Sequence, residues 1–385
     1  MRFDIVIIGG GLAGLSLAAA LRRTTLSVAL VEGRAPLVPV GCDARVYAIS
    51  PSNVRFLDDI GIWPHLDRQR MEPVRAMEIF GDAGGRLEFS AYASGVSELA
   101  WIMESSLMHG ELWETAKRQG NLTLFCPARP QALRMEDQAA CLLLDDGRSI
   151  EANLVVAADG ADSWTRSAAG IEVNFSPYGQ HGVVANFATE RPHRGTAFQW
   201  FREDGILAWL PLPGNRISMV WSTPEEHGRE LAALDAEALC QRVAAAGDDT
   251  LGRLELLTPA AGFPLRLMRA PRMVLPRLAL IGDAAHAIHP LSGHGINLGY
   301  QDAQELAALL CAKPGHIDCG DYVLLRRYER ARKEEIVTLQ AVTDGLQHLF
   351  LPASGFLSGV RNAGLNLTNR LPVVKDALVR YALAS

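Results

Sequence analysis

Apolar residues run unbroken through IVII at positions 5–8, stop at a glycine cluster, return through LAGLSLAAAL and run again through VALV, which ends at Glu32. A short apolar run closed by glycines predicts a buried strand, and the longer apolar-rich stretch beyond them predicts a helix. The order is strand, glycine turn, helix, strand. SIEANLVVAADGADSWTRSAAG repeats the first half of that pattern. Its apolar run reaches Ala157 and Ala158, and Asp159-Gly160 then turns the chain into a polar segment containing Arg166. LALIGDAAHAIHPLSGHGINLGYQDAQELAALL, residues 278–310, reads as a third buried strand, a glycine-interrupted crossing and a helix.

The intervening pattern is different. From about 181 to 222, short apolar-aromatic runs alternate with Gly, Pro and charges, which predicts several strands rather than one long helix. Trp200, Phe201, Trp209, Leu210 and Trp221 either fill the core of that sheet or line an apolar cavity. Alanines and charges from about 225 to 247 predict a helix followed by a turn. The Pro/Gly stretch 259–276 reads as the return from an inserted sheet. DYVLLRRYERARKEEIVTLQAVTDGLQHLF predicts a long helix, and the tail after it combines an apolar strip with Arg370, Lys375 and Arg380. Packing on the main body is the default for that strip, and a membrane- or partner-facing surface is the alternative.

These patterns predict an α/β fold: a Rossmann-like nucleotide-binding domain interrupted by a mixed-sheet substrate domain, with a C-terminal helical region. Residues 1–75, 101–175 and 269–325 are assigned to the nucleotide domain, 76–100 and 176–268 to the substrate domain, and 326–385 to the helical region. No internal repeat or sustained low-complexity stretch occurs.

The 385 residues suffice for one large fold or two domains with cores of their own, and 49% hydrophobic with 21% charged residues fits a soluble globular chain. A net charge of −6 without a long Lys/Arg block argues against general nucleic-acid binding. The 6 cysteines contain no C-x-x-C pair, so reduced thiols are expected rather than a zinc site. MRFDIVII enters a strand directly, without the pattern of a secretory leader. No apolar run approaches the roughly 20 residues of a membrane-spanning helix, although peripheral contact needs none.

Gly9, Gly11 and Gly14 form G-x-G-x-x-G, with Gly10 as an additional flexible position. Such a turn lets backbone approach a pyrophosphate, and the helix start presents N–H groups to it. Glu32 ends the second strand about 20 residues on, where a carboxylate accepts bonds from adenosine ribose hydroxyls. The alternative is a tight packing turn with a solvent-facing Glu32. The fingerprint by itself leaves FAD and NAD(P) unresolved.

Taken in order, GGGLAG near residue 10, DARVYAIS from Asp43, LVVAADG ending at Gly160, LALIGDAAHAIHPLSGHGINLG ending at Gly299, and a tail of the form RNxGLxLxNRLPxxK span nearly the whole chain. This set resembles the class A flavoprotein aromatic monooxygenases of the para-hydroxybenzoate-hydroxylase fold, and more narrowly the ubiquinone-biosynthesis hydroxylases. The resemblance implies that Gly9, Gly11, Gly14 and Glu32 hold the adenosine diphosphate part of FAD, and that Arg45 lies near the cofactor or the entrance used by a mobile flavin. It further implies that Asp159 closes the FAD arrangement and serves nicotinamide use, and that Asp283 bonds the ribityl or pyrophosphate region. Gly293, Gly295, Ile296 and Asn297 are expected beside the isoalloxazine, where a helix start directs N–H groups toward flavin N1 and O2. Pro290, His294 and Gly295 are expected at the reacting end. Alternatives stay open for Arg45 (a surface charge), Asp159 (a capped turn), Pro290 (an ordinary loop proline) and His294 (packing). His286, His289 and His294 have imaginable ligand spacing, but no Cys or Glu completes a set, so no metal is expected.

The implied reaction is FAD-dependent hydroxylation of a polyprenylated phenolic ring in ubiquinone biosynthesis, with NADH or NADPH as reductant and molecular oxygen, through a flavin hydroperoxide. Other ubiquinone-biosynthesis proteins are implied as partners, together with a cytoplasmic location extending to peripheral contact on the cytoplasmic face of the inner membrane; oligomeric state stays open. Competing readings are a monooxygenase of a small soluble phenol, a flavin reductase or dehydrogenase, and a non-catalytic FAD-binding scaffold in a lipid-biosynthetic assembly.

Overall fold

The computed structural model describes all residues except 37–40, 42, 174, 288–294, 351–361, 363–368, 370–374 and 376–385. The first pattern folds as read: β1 (Arg2–Ile8), α1 (Leu12–Ala20) and β2 (Val28–Val31). Then come β3 (Val46–Ile49), α2 (Pro51–Asp59), β4 (Met71–Val74), and a hairpin of β5 (Ala76–Phe80) and β6 (Arg86–Ser90). The chain continues through β7 (Ala100–Glu104), α3 (Ser105–Arg118), β8 (Leu122–Phe125), β9 (Pro130–Met135), β10 (Ala140–Leu144), β11 (Ser149–Ala157) and α4 (Trp164–Ala168). β12 (Phe175–Thr189), β13 (Thr196–Arg202), β14 (Gly205–Leu212) and β15 (Arg216–Pro224) precede α5 (Glu225–Ala233), α6 (Ala236–Ala246), β16 (Leu254–Leu256) and β17 (Ala261–Arg269). Last are β18 (Val274–Leu275), β19 (Leu278–Leu280), β20 (His286–Ala287), α7 (Gly295–Ala312) and α8 (Tyr322–Phe350).

Two large sheets result. The first has the order β18-β19-β11-β1-β2-β8, with β10 and β9 added beside β11. β1 lies between parallel neighbours, β11 and β2, and Ile5 to Ile8 are buried on both faces, which is why that run is continuously apolar. The second sheet has the order β20-β17-β12-β15-β14-β13-β5-β6 and is mixed, because β13 runs parallel to β5 while the other pairs along it are antiparallel. A small third sheet, β3-β7-β4, lies where the two meet.

Alternation along the second sheet sorts its side chains. Phe187, Leu207, Trp209, Met219 and Trp221 pack with Leu231 and Val243 of the covering helices α5 and α6. Trp200, Trp209 and Trp221 therefore fill a core. Leu210 and Leu212 point the other way and pack with Ile102 and Val46 of the small sheet, while Phe201 closes a minor cluster with Ile206 and Ile79. This face, opposite the covering helices, is the one turned toward the small sheet and the unit built on the first sheet.

Two sequence expectations need correction. The helix expected over 225–247 is two helices, because Asp235 caps a second one by accepting the Ala238 N–H at 2.8 Å. The stretch 259–276, expected as the return from the inserted sheet, contains a nine-residue strand of that sheet, β17, whose Pro264 and scattered charges hide its pattern. The C-terminal helix begins at Tyr322. Of the tail cations, Lys375 Nζ donates to Asn369 Oδ1 at 3.1 Å, and Arg370 and Arg380 lie outside the described residues.

Candidate cofactor and substrate site

At the end of β1 the three glycines have separable reasons. Gly9 adopts φ +110° and a Cβ there would collide with the Ala158 carbonyl of the neighbouring strand, while a Cβ on Gly14 would collide with the Gly9 carbonyl. Those two hold the turn and the helix together. A Cβ on Gly11 meets nothing, so this is the position where the backbone stands open. Gly11 is the N-cap of α1, no side chain caps it, and no acidic residue lies in its first turn. The first N–H groups of α1 therefore face outward with the positive end of the helix dipole.

Glu32 leaves β2 beside this turn. One carboxylate oxygen accepts the Gly10 N–H at 2.6 Å and the other the Arg34 N–H at 2.9 Å, which fixes its direction and leaves lone pairs on both. The far side of the turn is tied by His109 on α3, whose Nε2 lies 2.6 Å from the Gly10 carbonyl oxygen. His109 has no sequence signature, because the contact joins residues 99 positions apart.

The DARVYAIS segment is held by its own aspartate. Asp43 accepts the Arg45 N–H at 2.9 Å and the Ser106 N–H at 3.0 Å, and Glu104 accepts the Asp43 N–H at 2.8 Å while pairing with Arg70. Arg45 is exposed and its guanidinium lies 5.4 Å from the centre of the Tyr47 ring. Burial pushes the Tyr47 phenol above its usual pKa although Arg45 opposes this. Asp283 shares this electrostatic neighbourhood. Crowding by protein raises its carboxyl pKa against the pull of His286 and Arg45, and Asp302 adds to the rise. Its surface is nevertheless open to the cleft, so water screens part of that push. Among the described residues, no hydrogen bond or ion pair occupies the Asp283 carboxylate.

Close packing brings that carboxylate to α1. Gly282, with φ +59°, stacks against Ala13 and Gly299, so the turn after β19, the start of α1 and the start of α7 meet through small residues. Arg166, buried, donates to the Ala284 carbonyl at 2.9 Å and to that of Ala161 at 2.9 Å, fastening α4 to the same turn. Beneath it lies a charged cluster. Asp302 is fully buried and accepts the Gly282 N–H at 2.9 Å, His286 Nε2 at 2.6 Å and Arg332 Nε at 2.7 Å. Burial alone would raise the Asp302 pKa, but His286 and Arg332 override it and hold the carboxylate below its ordinary range. Asp302 was missed in the sequence; an acid inside an apolar helical stripe was the available signal.

The remaining expected residues divide. Gly295 opens α7 and a Cβ on it would meet open space; Ile296 follows it, half-buried. Asn297 is buried and its side chain is spent on protein: Oδ1 accepts the Ser50 N–H at 3.0 Å and Asn53 Nδ2 at 2.9 Å, and Nδ2 donates to Ala48 O at 2.8 Å. Only its backbone can face a ligand, so its side chain is a clamp between α7 and α2. Asp159 likewise caps α4, accepting from Ser163 Oγ, the Thr165 N–H at 2.9 Å and Thr165 Oγ1 at 2.8 Å. Pro290, Gly293, His294 and His289 lie outside the described residues. His286 directs its ring into the Asp302 cluster, and no group of metal-ligating side chains occurs among the described residues.

The open start of α1, the carboxylates of Glu32 and Asp283 and the open start of α7 at Gly295 thus lie on adjoining segments, since Glu32 bonds Gly10 and the turn at Gly282 packs against Ala13 and Gly299. FAD carries a pyrophosphate between two polyhydroxyl portions and a planar ring, and this donor and acceptor set fits it. Where the cleft meets the second sheet there is a further cavity of about 300 Å³, between Asp43, Arg70 and Glu104 on one side and Asn186, Leu212 and Arg216 on the other.

Comparison with known proteins agrees with this geometry. A family model described as an FAD binding domain matches residues 2–341. The chain is 35% identical over 387 residues to the ubiquinone hydroxylase UbiL of Rhodospirillum rubrum, covering 99% of this chain and 90% of that one. It is 32% identical over 384 residues to the 3-demethoxyubiquinol 3-hydroxylase of Escherichia coli, with 99% and 98% coverage. Among solved structures, p-nitrophenol 4-monooxygenase PnpA from Pseudomonas putida shares the fold with a TM-score of 0.82 at 18% identity, covering 100% of this chain and 99% of that one.

Proposed function

Because the chain belongs to the family of FAD-dependent aromatic monooxygenases that includes the ubiquinone hydroxylases, we propose that it hydroxylates the ring of a polyprenylated phenol on the way to ubiquinone. The observation that carries this reading is the convergence of the uncapped, open start of α1, Glu32 bonded to Gly10, and the turn at Gly282–Asp283 packed between α1 and the start of α7. FAD, when bound, supplies the redox chemistry, taking reducing equivalents from NAD(P)H and delivering oxygen from O2 to an electron-rich ring.

The chain's own part is placement and exclusion. The open backbone at Gly11 and the N–H groups of α1 would hold the pyrophosphate. Glu32 would accept ribose hydroxyls and Asp283 those of the ribityl chain, while the N-terminal dipole of α7 would favour negative charge on the ring nearby. Arg45 and Tyr47 stand at the same cleft, where a cation beside the cofactor would offset that charge. The inner face of the second sheet would hold the substrate ring away from water.

We extend the proposal to location. A lipid-soluble quinol precursor has to be taken from a bilayer, and no helix among the described residues is long and apolar enough to cross one. Peripheral contact on the cytoplasmic face of the inner membrane, in company with other ubiquinone-biosynthesis proteins, suits such a substrate.

The test is mass spectrometry of products after incubating FAD-loaded protein with NADH or NADPH, labelled oxygen, and a panel of prenylated and small phenols. One labelled atom in a prenylated product is the expected result. Labelling of a small phenol alone would move the substrate class to soluble phenols, and reductant consumption without label in any product would overturn hydroxylation.

A further inference from the structure

In the glycine turn at the end of β1 the backbone donors have different fates. The Gly9 N–H donates to the Val31 carbonyl at 2.9 Å and the Gly10 N–H to Glu32 at 2.6 Å. The Gly11 carbonyl accepts the Leu15 N–H at 3.0 Å, but among the described residues no hydrogen bond engages the Gly11 N–H. The peptide that carries this idle donor is held from its other side. Its oxygen, that of Gly10, lies 2.6 Å from His109 Nε2. A carbonyl oxygen only accepts, so Nε2 carries the hydrogen and His109 is the donor. In a trans peptide the carbonyl and the following N–H point in opposite directions. A donor that draws the Gly10 oxygen toward α3 therefore turns the Gly11 N–H away from α3.

That direction has little else to secure it. The peptide lies between two glycines, and rotating it would carry Gly11 from φ −75° into the positive-φ region that glycine alone enters freely. Rotation would also exchange the two ends, setting an oxygen lone pair where the N–H now points and opposing an anion instead of binding it. The helix that carries His109 is well placed to resist this. Met108 and Leu112, both 0% exposed, seat α3 in the core, and Gln119 at its far end donates to the Ala18 carbonyl of α1 at 2.9 Å. His109 and Gln119 thus tie α3 to the start and the end of the same helix-bearing segment.

Whatever ring the enzyme oxidises, we propose that His109 is a positioning residue for FAD, whose hydrogen bond locks the Gly10–Gly11 peptide with its N–H presented to the pyrophosphate. The lock needs an N–H at the place of Nε2, not an imidazole as such. A glutamine amide reaches the same point, whereas asparagine is one bond too short and leucine has no donor. The effect belongs to the diphosphate, so an adenosine held through Glu32 does not feel it.

The experiment measures equilibrium binding of FAD, ADP and adenosine to the full-length, flavin-free protein, adenosine by competition with FAD, with denaturant titration of each variant alongside. His109→Leu and the polar His109→Asn are each expected to weaken FAD and ADP about tenfold, the loss of one hydrogen bond to a charged group, and to leave adenosine unchanged. His109→Gln is expected to restore FAD and ADP to within about threefold of the native protein. A tie that merely steadies the fold would lower stability without changing the ratio of ADP to adenosine affinity. Native FAD affinity in the leucine and asparagine variants, equal weakening of adenosine and ADP, or a glutamine variant as weak as leucine would each overturn the assignment. None of these measurements involves turnover, so their failure is distinct from failure of the hydroxylase reading.

Discussion

Single residues in this cleft divide into those that hold the protein together and those that stay open for something else, and substitution separates the two. Gly11 has φ −75° and ψ −177°, a conformation any residue adopts, and open space where a Cβ would be. Gly11→Ala is therefore expected to change stability by no more than about 0.5 kcal/mol and to weaken FAD binding about ten- to hundredfold, because the methyl group occupies the approach of the pyrophosphate. Gly14→Ala forces a methyl group onto the Gly9 carbonyl and is expected to destabilise the fold by about 1–3 kcal/mol as well. Denaturation of the flavin-free proteins and fluorescence titration with FAD give both numbers. A Gly11→Ala protein with native affinity would remove the anion seat from that position. Asp283 makes the same point electrically. Its pKa in the folded, flavin-free protein is raised, so the protonated form is favoured by folding, and stability falls as pH climbs from the ordinary carboxylate range through the raised value. At neutral pH the charge is a cost, partly screened by water in the cleft. Asp283→Asn is expected to make the flavin-free protein slightly more stable and to weaken FAD retention about tenfold, since a charged acceptor bonds hydroxyls more strongly than an amide. Unchanged FAD affinity would detach Asp283 from the cofactor.

Between residues and the whole fold, the element that decides the site is α7, and what positions it is the buried cluster around Asp302. Gly282, His286 and Arg332 come from the turn after β19, from β20 and from α8, and all three donate to one carboxylate. Removing it takes the carboxylate from buried His286 and leaves Arg332 with Glu335, Gln301 and the Leu298 carbonyl alone. Asp302→Ala is expected to cost about 3–5 kcal/mol in a denaturant titration, against the smaller loss of an ordinary surface acid. The pH dependence has a definite sign. A depressed carboxyl pKa contributes stability that is complete above the ordinary carboxylate range and lost as pH falls through the lowered value, so Asp302→Asn should flatten acid unfolding in that window. An unaltered acid transition would show that the cluster is not what fails there. This element also marks the limit of what the sequence discloses. The glycine fingerprint, Glu32 and the open Gly295 are legible because each follows from a local pattern of strand, turn and helix. Asp302, Arg166 and His109 are not, because their partners arrive from other segments. Asn297 shows the converse: its place in the motif is legible, but the clamp onto Ser50 and Asn53 exists only once α7 lies against α2. The stretch holding β17 reads only as a return segment for a related reason, since a strand held by long pairing with β12 can carry proline and charge that local propensity disfavours.

At the scale of the molecule, the chain alternates between the two large sheets. The chain leaves the first unit for β5 and β6, returns for β7 to β11, leaves again for β12 to β17, returns for β18 and β19, and adds β20 to the second sheet before α7 rejoins the first. Several connections therefore cross from one sheet to the other, and the Asn186–Asp43 bond together with the shared cluster of Leu210 and Ile102 ties their facing surfaces. Cooperative unfolding across both units is the consequence, and a ligand held by one unit must then protect both. Saturation with FAD at a hundredfold excess over its Kd adds about 2.7 kcal/mol to the folded state. If the units unfold together, amides in β14 and β15, remote from the glycine turn, should slow in hydrogen exchange by the same factor as those in β1 and β11. Protection confined to β1, β2 and β11 would mean that the second sheet opens independently, as a substrate unit free to admit a lipid while the cofactor stays seated. Uniform protection would place substrate entry in a local opening between the units instead, because a sheet that opens only together with its neighbour is too costly to swing away in each turnover.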